Sequence, residues 1–171
     1  MRKFINFFAL AILMTLIVSC KPSKEDAIKY NDALVNEEVL VIKAESAFSD
    51  AVINNKHEDV DNLYNAFLKQ IETSISVVNN IKPLGNDSKF KDATLSLLTT
   101  YESVTKNEYA EVLKIAKVPD EEFTQEHNNK MNELSKKIDN KLDKEVQNFL
   151  KAQKELANKY NITLSVPKKT N

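Results

Sequence analysis

Val60-Asp61-Asn62-Leu63-Tyr64-Asn65-Ala66-Phe67-Leu68-Lys69-Gln70-Ile71-Glu72-Thr73-Ser74-Ile75-Ser76-Val77-Val78 is the stretch that decides the fold. Val60, Leu63, Tyr64, Phe67, Ile71, Ile75 and Val78 recur at threes and fours, the spacing that gathers them on one side of a helix. A single helix cannot bury such a stripe, so the segment demands other helices around it. Its limits are legible too. Asn55-Lys56-His57-Glu58 reads as a capping box at its start, and Lys82-Pro83-Leu84-Gly85-Asn86 as a stop and turn, with Asp87 or Ser88 opening the next helix.

Upstream, a first helix is expected over 24–54, capped by Ser23 with Asp26 adding negative charge to its first turn. Ala27, Tyr30, Leu34, Val41, Phe48 and Val52 form its stripe, widened by Val35 and Ile42. Downstream, a third helix over 88–117 buries Phe90, Leu97, Tyr101, Val104, Val112 and Ile115. Its β-branched middle, Thr99, Thr100 and Thr105, predicts a bend or break near 104–107. Pro119 suits the first turn of a fourth helix, with Asp120, Glu121 and Glu122 near its positive end. Phe123, Met131, Leu134, Ile138, Leu142, Phe149, Leu156 and Tyr160 carry that stripe. The last helix spans roughly 60 Å at about 1.5 Å per residue.

Four amphipathic helices with short connections predict an all-α fold, an antiparallel up-down four-helix bundle. Pro83 and Pro119 divide the pattern too firmly for one long coiled coil. The stretch 161–166 alternates at period two with no partner strand, which predicts an extended C-terminal tail on the bundle, and 167–171 is expected to be flexible. The bundle domain is thus expected over 27–166.

Composition agrees with helices: one glycine, no tryptophan, and abundant charged residues. Arg2 is the only arginine. Leaving out Arg2 and Lys3, the 24 basic residues become 22 lysines against 25 acids. A net negative chain without arginine lacks the footprint of a nucleic-acid binder, and nucleic acid is not an expected partner.

The N-terminus has another character. Arg2 and Lys3 precede a mostly apolar run from Phe4 to Val18, broken by Asn6 and Thr15, the form of a secretory signal too short to span a bilayer. The run closes in Leu16-Ile17-Val18-Ser19-Cys20, with the only cysteine of the chain. This block resembles the lipobox of bacterial lipoproteins. The resemblance implies cleavage after Ser19 by lipoprotein-processing machinery, a diacylglyceryl group on the Cys20 sulfur and fatty acylation of the new amino terminus. It makes 1–19 a signal peptide, 20–26 a lipidated tether, and the membrane a partner through Cys20. Two or more acyl chains suffice for stable attachment. Lys21, in place of an aspartate beside the cysteine, fits sorting to the outer membrane, with the periplasmic and surface faces both open.

Tyr30-Asn31-Asp32, followed by Leu34-Val35-Asn36-Glu37, then Gln70-Ile71-Glu72 with Ser74-Ile75 and the Pro83–Gly85 turn, are similar to small helical surface lipoproteins of unknown function from spirochaetes and Bacteroidetes-like bacteria. The resemblance covers about residues 25–118. It implies a fold and no reaction.

Catalytic and metal motifs are missing from the sequence. A di-metal carboxylate bundle needs repeated Glu-x-x-His pairs, whereas Asn54 stands three before His57 and Thr124 three before His127. His57 with Asp61 reads as a surface ion pair, and His127 as a partly buried histidine of the last stripe. There is no His-Glu-x-x-His, no phosphate-binding glycine loop and no serine elbow. The expectation is a non-enzymatic chain with no cofactor. Two readings remain. An interaction or structural module, meeting an envelope protein or an extracellular partner, predicts an outward apolar patch. A carrier of a small apolar or amphipathic ligand predicts an interhelical cavity lined by Tyr30, Tyr64, Tyr101 and Phe149. Tyr30, Asn31 and Asp32, together with Tyr64 and Tyr101, are the candidate ligand or interaction residues.

Overall fold

The computed structural model describes residues 21–54 and 57–164, the side chains of His57 and Glu58 excepted. The lipobox with Cys20, the capping box at 55–58 and the end of the chain from 165 lie outside the described residues. Within them the protein is all-helical. The helices are α1 (Lys24–Ile53), α2 (His57–Asn80), α3 (Lys89–Val104), α4 (Ala110–Ala116) and α5 (Gln125–Tyr160). A π-helical turn, Thr105–Tyr109, joins α3 to α4, so the two read as one rod and the chain as four.

Each boundary has a local cause. Ser23 accepts from the Asp26 backbone N–H, while the Asp26 carboxylate accepts from the Ser23 N–H at 3.0 Å, a reciprocal capping box rather than a mere charge in the first turn. These bonds hold the Asp26 carboxyl below its usual range. Helix thus begins inside the expected 20–26 tether. The turn after α2 uses the only glycine of the chain in the left-handed region, φ +62°, where a Cβ would also lie 3.1 Å from the Pro22 ring. Lys91 donates to the free carbonyls of Asn79 and Ile81 at 2.8 and 2.6 Å, closing the end of α2.

The irregularity expected near 104–107 takes the form of a π turn, which admits one extra residue without interrupting the helix. With a plain α period Glu108 would follow Tyr101 and Thr105 onto the core face. The extra residue brings Tyr109 there instead. The expectation for Pro119 needs correction: it does not open the last helix. It precedes a 3-10 turn, Asp120–Glu122, and Phe123 is extended, so α5 begins only after Thr124. Thr124 caps α5 together with His127, whose Nδ1 accepts from the Thr124 N–H at 3.1 Å. His127 is therefore a capping residue at the rim of the last stripe. At the far end Asn161, in the left-handed conformation, terminates α5, and Ile162 packs back on the core.

Phe48, Phe67, Leu34, Val41, Ile71, Leu97 and Val104 are completely buried, joined by Phe90 and Phe149. Phe48 meets Tyr64, Phe67 and Tyr109 in edge or stacked arrangements with ring centroids 5.5–6.5 Å apart across this cluster. α1 packs mainly on α2, and α5 mainly on the α3 rod, while α1 and α5 touch sparsely. That last seam is where the surface opens.

Candidate groove and the buried carboxyl cluster

The candidate residues of the sequence separate into two places. Tyr30 is buried against Phe90, and its hydroxyl lies beside the Lys91 backbone without completing a hydrogen bond. Burial pushes its phenol up to about 12. Tyr64 lies on Phe48 and donates to the Thr105 carbonyl at 2.9 Å, tying α2 to the start of the π turn. Tyr101 stands edge-on to Phe67. These three tyrosines thus act as aromatic packing with a polar tip, and Tyr30 also lines a cleft of about 250 Å³ with Phe90, Ala152 and Leu156. Phe149 packs on Phe90 beneath Tyr30.

Asn31 and Asp32 lie elsewhere, in a groove of about 460 Å³ between α1, α5 and residues 162–164. Ile28, Val35, Val39, Phe149 and Leu150 supply its apolar walls. Asn31 is buried and bridges the helices: its amide donates to Asp32 at 3.0 Å, and its oxygen accepts from Gln153 at 3.0 Å. Asp32 itself faces outward. The groove exists because α1 carries a second apolar column, Ile28, Val35 and Ile42, one residue round from its core column, and α5 does not close over it. Val39 is 37 %, Ile42 40 % and Leu150 47 % exposed. Sequence reasoning placed Ile42 within the buried stripe, and the structure turns it outward.

The most perturbed titratable groups lie deeper, on α1 and the π turn. Tyr109 donates to the Glu45 carboxylate, and Tyr101 sits beside the same carboxyl. Burial raises the Glu45 carboxyl above its usual range, the two phenols oppose that shift, and nearby Asp139 adds to it. Burial likewise pushes both phenols far above the ordinary tyrosine range, with Glu45 adding to the effect. Glu38, two helical turns before Glu45 on α1 and at the wall of the groove, is raised by burial as well. On the other side of the rod Glu108 pairs with Lys141 at 2.8 Å through one oxygen, while its second oxygen and the Thr105 hydroxyl are buried without partners. Glu37 is buried but satisfied by Ser74 at 2.8 Å, which in turn accepts from Gln70 at 3.0 Å.

Glu45 could have been suspected from sequence, since it falls between Val41 and Phe48 on the inner face of α1. Chemically the cluster is a carboxylate that accepts a hydrogen bond from a protonated phenol. Among the described residues, no three of His, Cys, Asp and Glu converge as metal ligands, and no helix is long and apolar enough to cross a membrane. Comparison of the chain with protein families, with curated proteins and with solved structures gave no match in any of the three.

Proposed function

We propose that this chain is a lipid-anchored protein of the bacterial cell envelope, held through Cys20 to the outer membrane, whose helices form an antiparallel up-down bundle serving as a non-enzymatic interaction module. Pairings between rods support the topology. Glu37 meets Ser74 and Phe48 meets Tyr64 between α1 and α2, while Phe90 meets Phe149 and Glu108 meets Lys141 between the α3 rod and α5. In both cases one number rises as the other falls. The observation that carries the interaction reading is the apolar edge Val39, Ile42 and Leu150 left outside a core whose aromatics fill it. The anchor rests on the lipobox sequence alone.

The groove also supports a second reading. Its apolar walls with an Asn31–Gln153 polar pair would suit a small amphipathic ligand, held between α1 and α5 rather than among the tyrosines.

The test is purification from the native host membrane with any bound molecule retained. Mass spectrometry should find an N-terminal peptide beginning at an acylated Cys20, and Cys20→Ser should leave the membrane fraction. An N-terminal peptide that retains residues before Cys20 and carries no acyl group ends the anchor reading. An experimental structure of the same material with ordered density in the α1–α5 groove favours the carrier; an empty groove favours the module.

A further inference from the structure

We infer that the end of the helical domain remote from Lys24 docks an amphipathic helix carrying lysine or arginine beside its apolar face. Two adjoining clefts lie there, of about 310 and 210 Å³, and both are lined by Val52 and Met131. The first runs under Phe123 and Val118, the second under Val112 and Ile138. Their lip is apolar and exposed: Ile53 is 76 % exposed, the highest value among the large apolar side chains described as exposed, and Phe123 is 39 % exposed and tilts against the His127 ring. The opening has a backbone cause. α1 ends at Ile53, and the extended Phe123 delays the start of α5, so neither helix covers the gap.

Charge selects the occupant. Asp120 lines the first cleft and Asp139 the second, and Glu121 and Glu122 stand exposed in the turn beside Phe123. None of these four carboxylates takes part in an ion pair among the described residues. The lysines nearest Asp120, Glu121 and Glu122 in sequence are engaged elsewhere: Lys114 with Glu111, Lys117 with Asp61 and Lys130 with Glu133. An apolar partner bearing acids would therefore meet unpaired like charge, whereas one bearing Lys or Arg gains partners for it. Long basic side chains can lay their stems along the lip and carry their heads to the rim. A helix offers apolar anchors at i, i+3, i+4 and i+7, the arrangement two linked clefts accept. This surface is separate from the α1–α5 groove and stands whether or not that groove binds anything.

A photoreactive residue at Ser135, which lines the second cleft and is exposed, provides the test, with one at exposed Asn86 as the remote control. The full chain, in nanodiscs of zwitterionic lipid, is offered a synthetic helical Leu/Lys peptide or its Leu/Glu counterpart. The expected result is a cross-linking yield at position 135 about tenfold higher for the Leu/Lys peptide, falling with added salt, and no such preference at position 86. Phe123→Ser and, separately, the triple change Asp120→Asn, Glu121→Gln, Glu122→Gln should each lower that yield several-fold, and both alter exposed positions. Equal yields for the two peptides, equal yields at the two positions, or cross-links chiefly to lipid or to a second copy of the chain would each overturn the inference.

Discussion

Two neighbouring columns of α1 meet different fates. Ala27, Leu34, Val41 and Phe48 repeat every seven residues and are completely buried. Ile28, Val35 and Ile42 repeat at the same interval one residue on, about 100° around the helix, yet they run from half-buried to exposed. Hydrophobicity and period are nearly the same in the two. What differs is the neighbour: the first column faces α2, the main contact of α1, while the second faces the thinner seam with α5. Burial on a helix is thus decided by where the next rod lies, and an apolar column without one becomes surface available for binding.

The sharpest way to break this comparison is to truncate one residue from each flank. Phe48→Ala removes a ring packed on Tyr64, Phe67 and Tyr109 and should cost about 3–5 kcal/mol in urea unfolding. Val39→Ala, on the open side, should stay within about 0.5 kcal/mol. Equal losses would mean that the α1–α5 seam closes in solution.

The next effect concerns the polar group inside the well-packed flank. Tyr109→Phe removes the donor to Glu45 and should cost about 1–2 kcal/mol at neutral pH. Its pH dependence has a fixed sign. Glu45 has a folded-state pKa raised above 4.5 by burial, so the folded chain takes up its proton before the unfolded chain does. The cost of the buried charge is fully present above the folded pKa. It is relieved as pH falls through that value toward 4.5. Losing the Tyr109 donor removes one of the two phenols that oppose the rise. Glu38 and Asp139 remain nearby, and the Tyr109→Phe penalty should shrink on acidification. Urea midpoints of both proteins followed from neutral pH into the carboxylate range check this; a penalty independent of pH would mean that Glu45 is not the group affected.

Much of this architecture was legible in the sequence. The stripes of α2 and α5, the Ser23 cap and the Gly85 turn follow from periodicity and local backbone chemistry, which the chain carries within a few residues. The π turn was legible only as an irregularity near 104–107, because its form is chosen by what Tyr109 gains on the far side of the core, from Phe48, Phe67 and Glu45. The start of α5 was not legible: Pro119 is a good first-turn residue, and only the pairing of Thr124 with His127 shifts the boundary. Tyr30, Tyr64 and Tyr101 could be recognised as important but not assigned, since a core ring with a wet tip and a ligand-facing ring have the same spacing. The groove needed the relative placement of α1 and α5, on which no local pattern reports.

A smaller effect tests the turn that sets that placement near the Lys24 end. Gly85→Ala must hold a Cβ at φ +62° and press it toward the Pro22 ring 3.1 Å away. The expected loss is about 1 kcal/mol, seen as a lower thermal midpoint. Both strain and contact act at the Leu84–Asp87 turn, where Lys159 of α5 reaches Asp87 at 2.6 Å. A mutant as stable as the parent would show that the turn can relax without disturbing α5.

The smallest effect on stability is the most informative about function. Leu150 is 47 % exposed at the groove wall, so Leu150→Lys removes little buried surface and should change the unfolding free energy by no more than about 0.5 kcal/mol. The same change places a charge beside Val35, Val39 and Phe149, the apolar part of a groove that Asp32 and Glu38 also line. Binding of an environment-sensitive apolar dye to the groove should then fall several-fold, and the matched change at a polar surface position such as Asn86 should leave it unaltered. If Leu150→Lys instead unfolds the domain, the α1–α5 seam is part of the core, and the two flanks of α1 differ in degree rather than in kind. If dye binding survives in a stable mutant, the apolar edge does not form a single surface with the groove, and the interaction reading loses the observation that carries it.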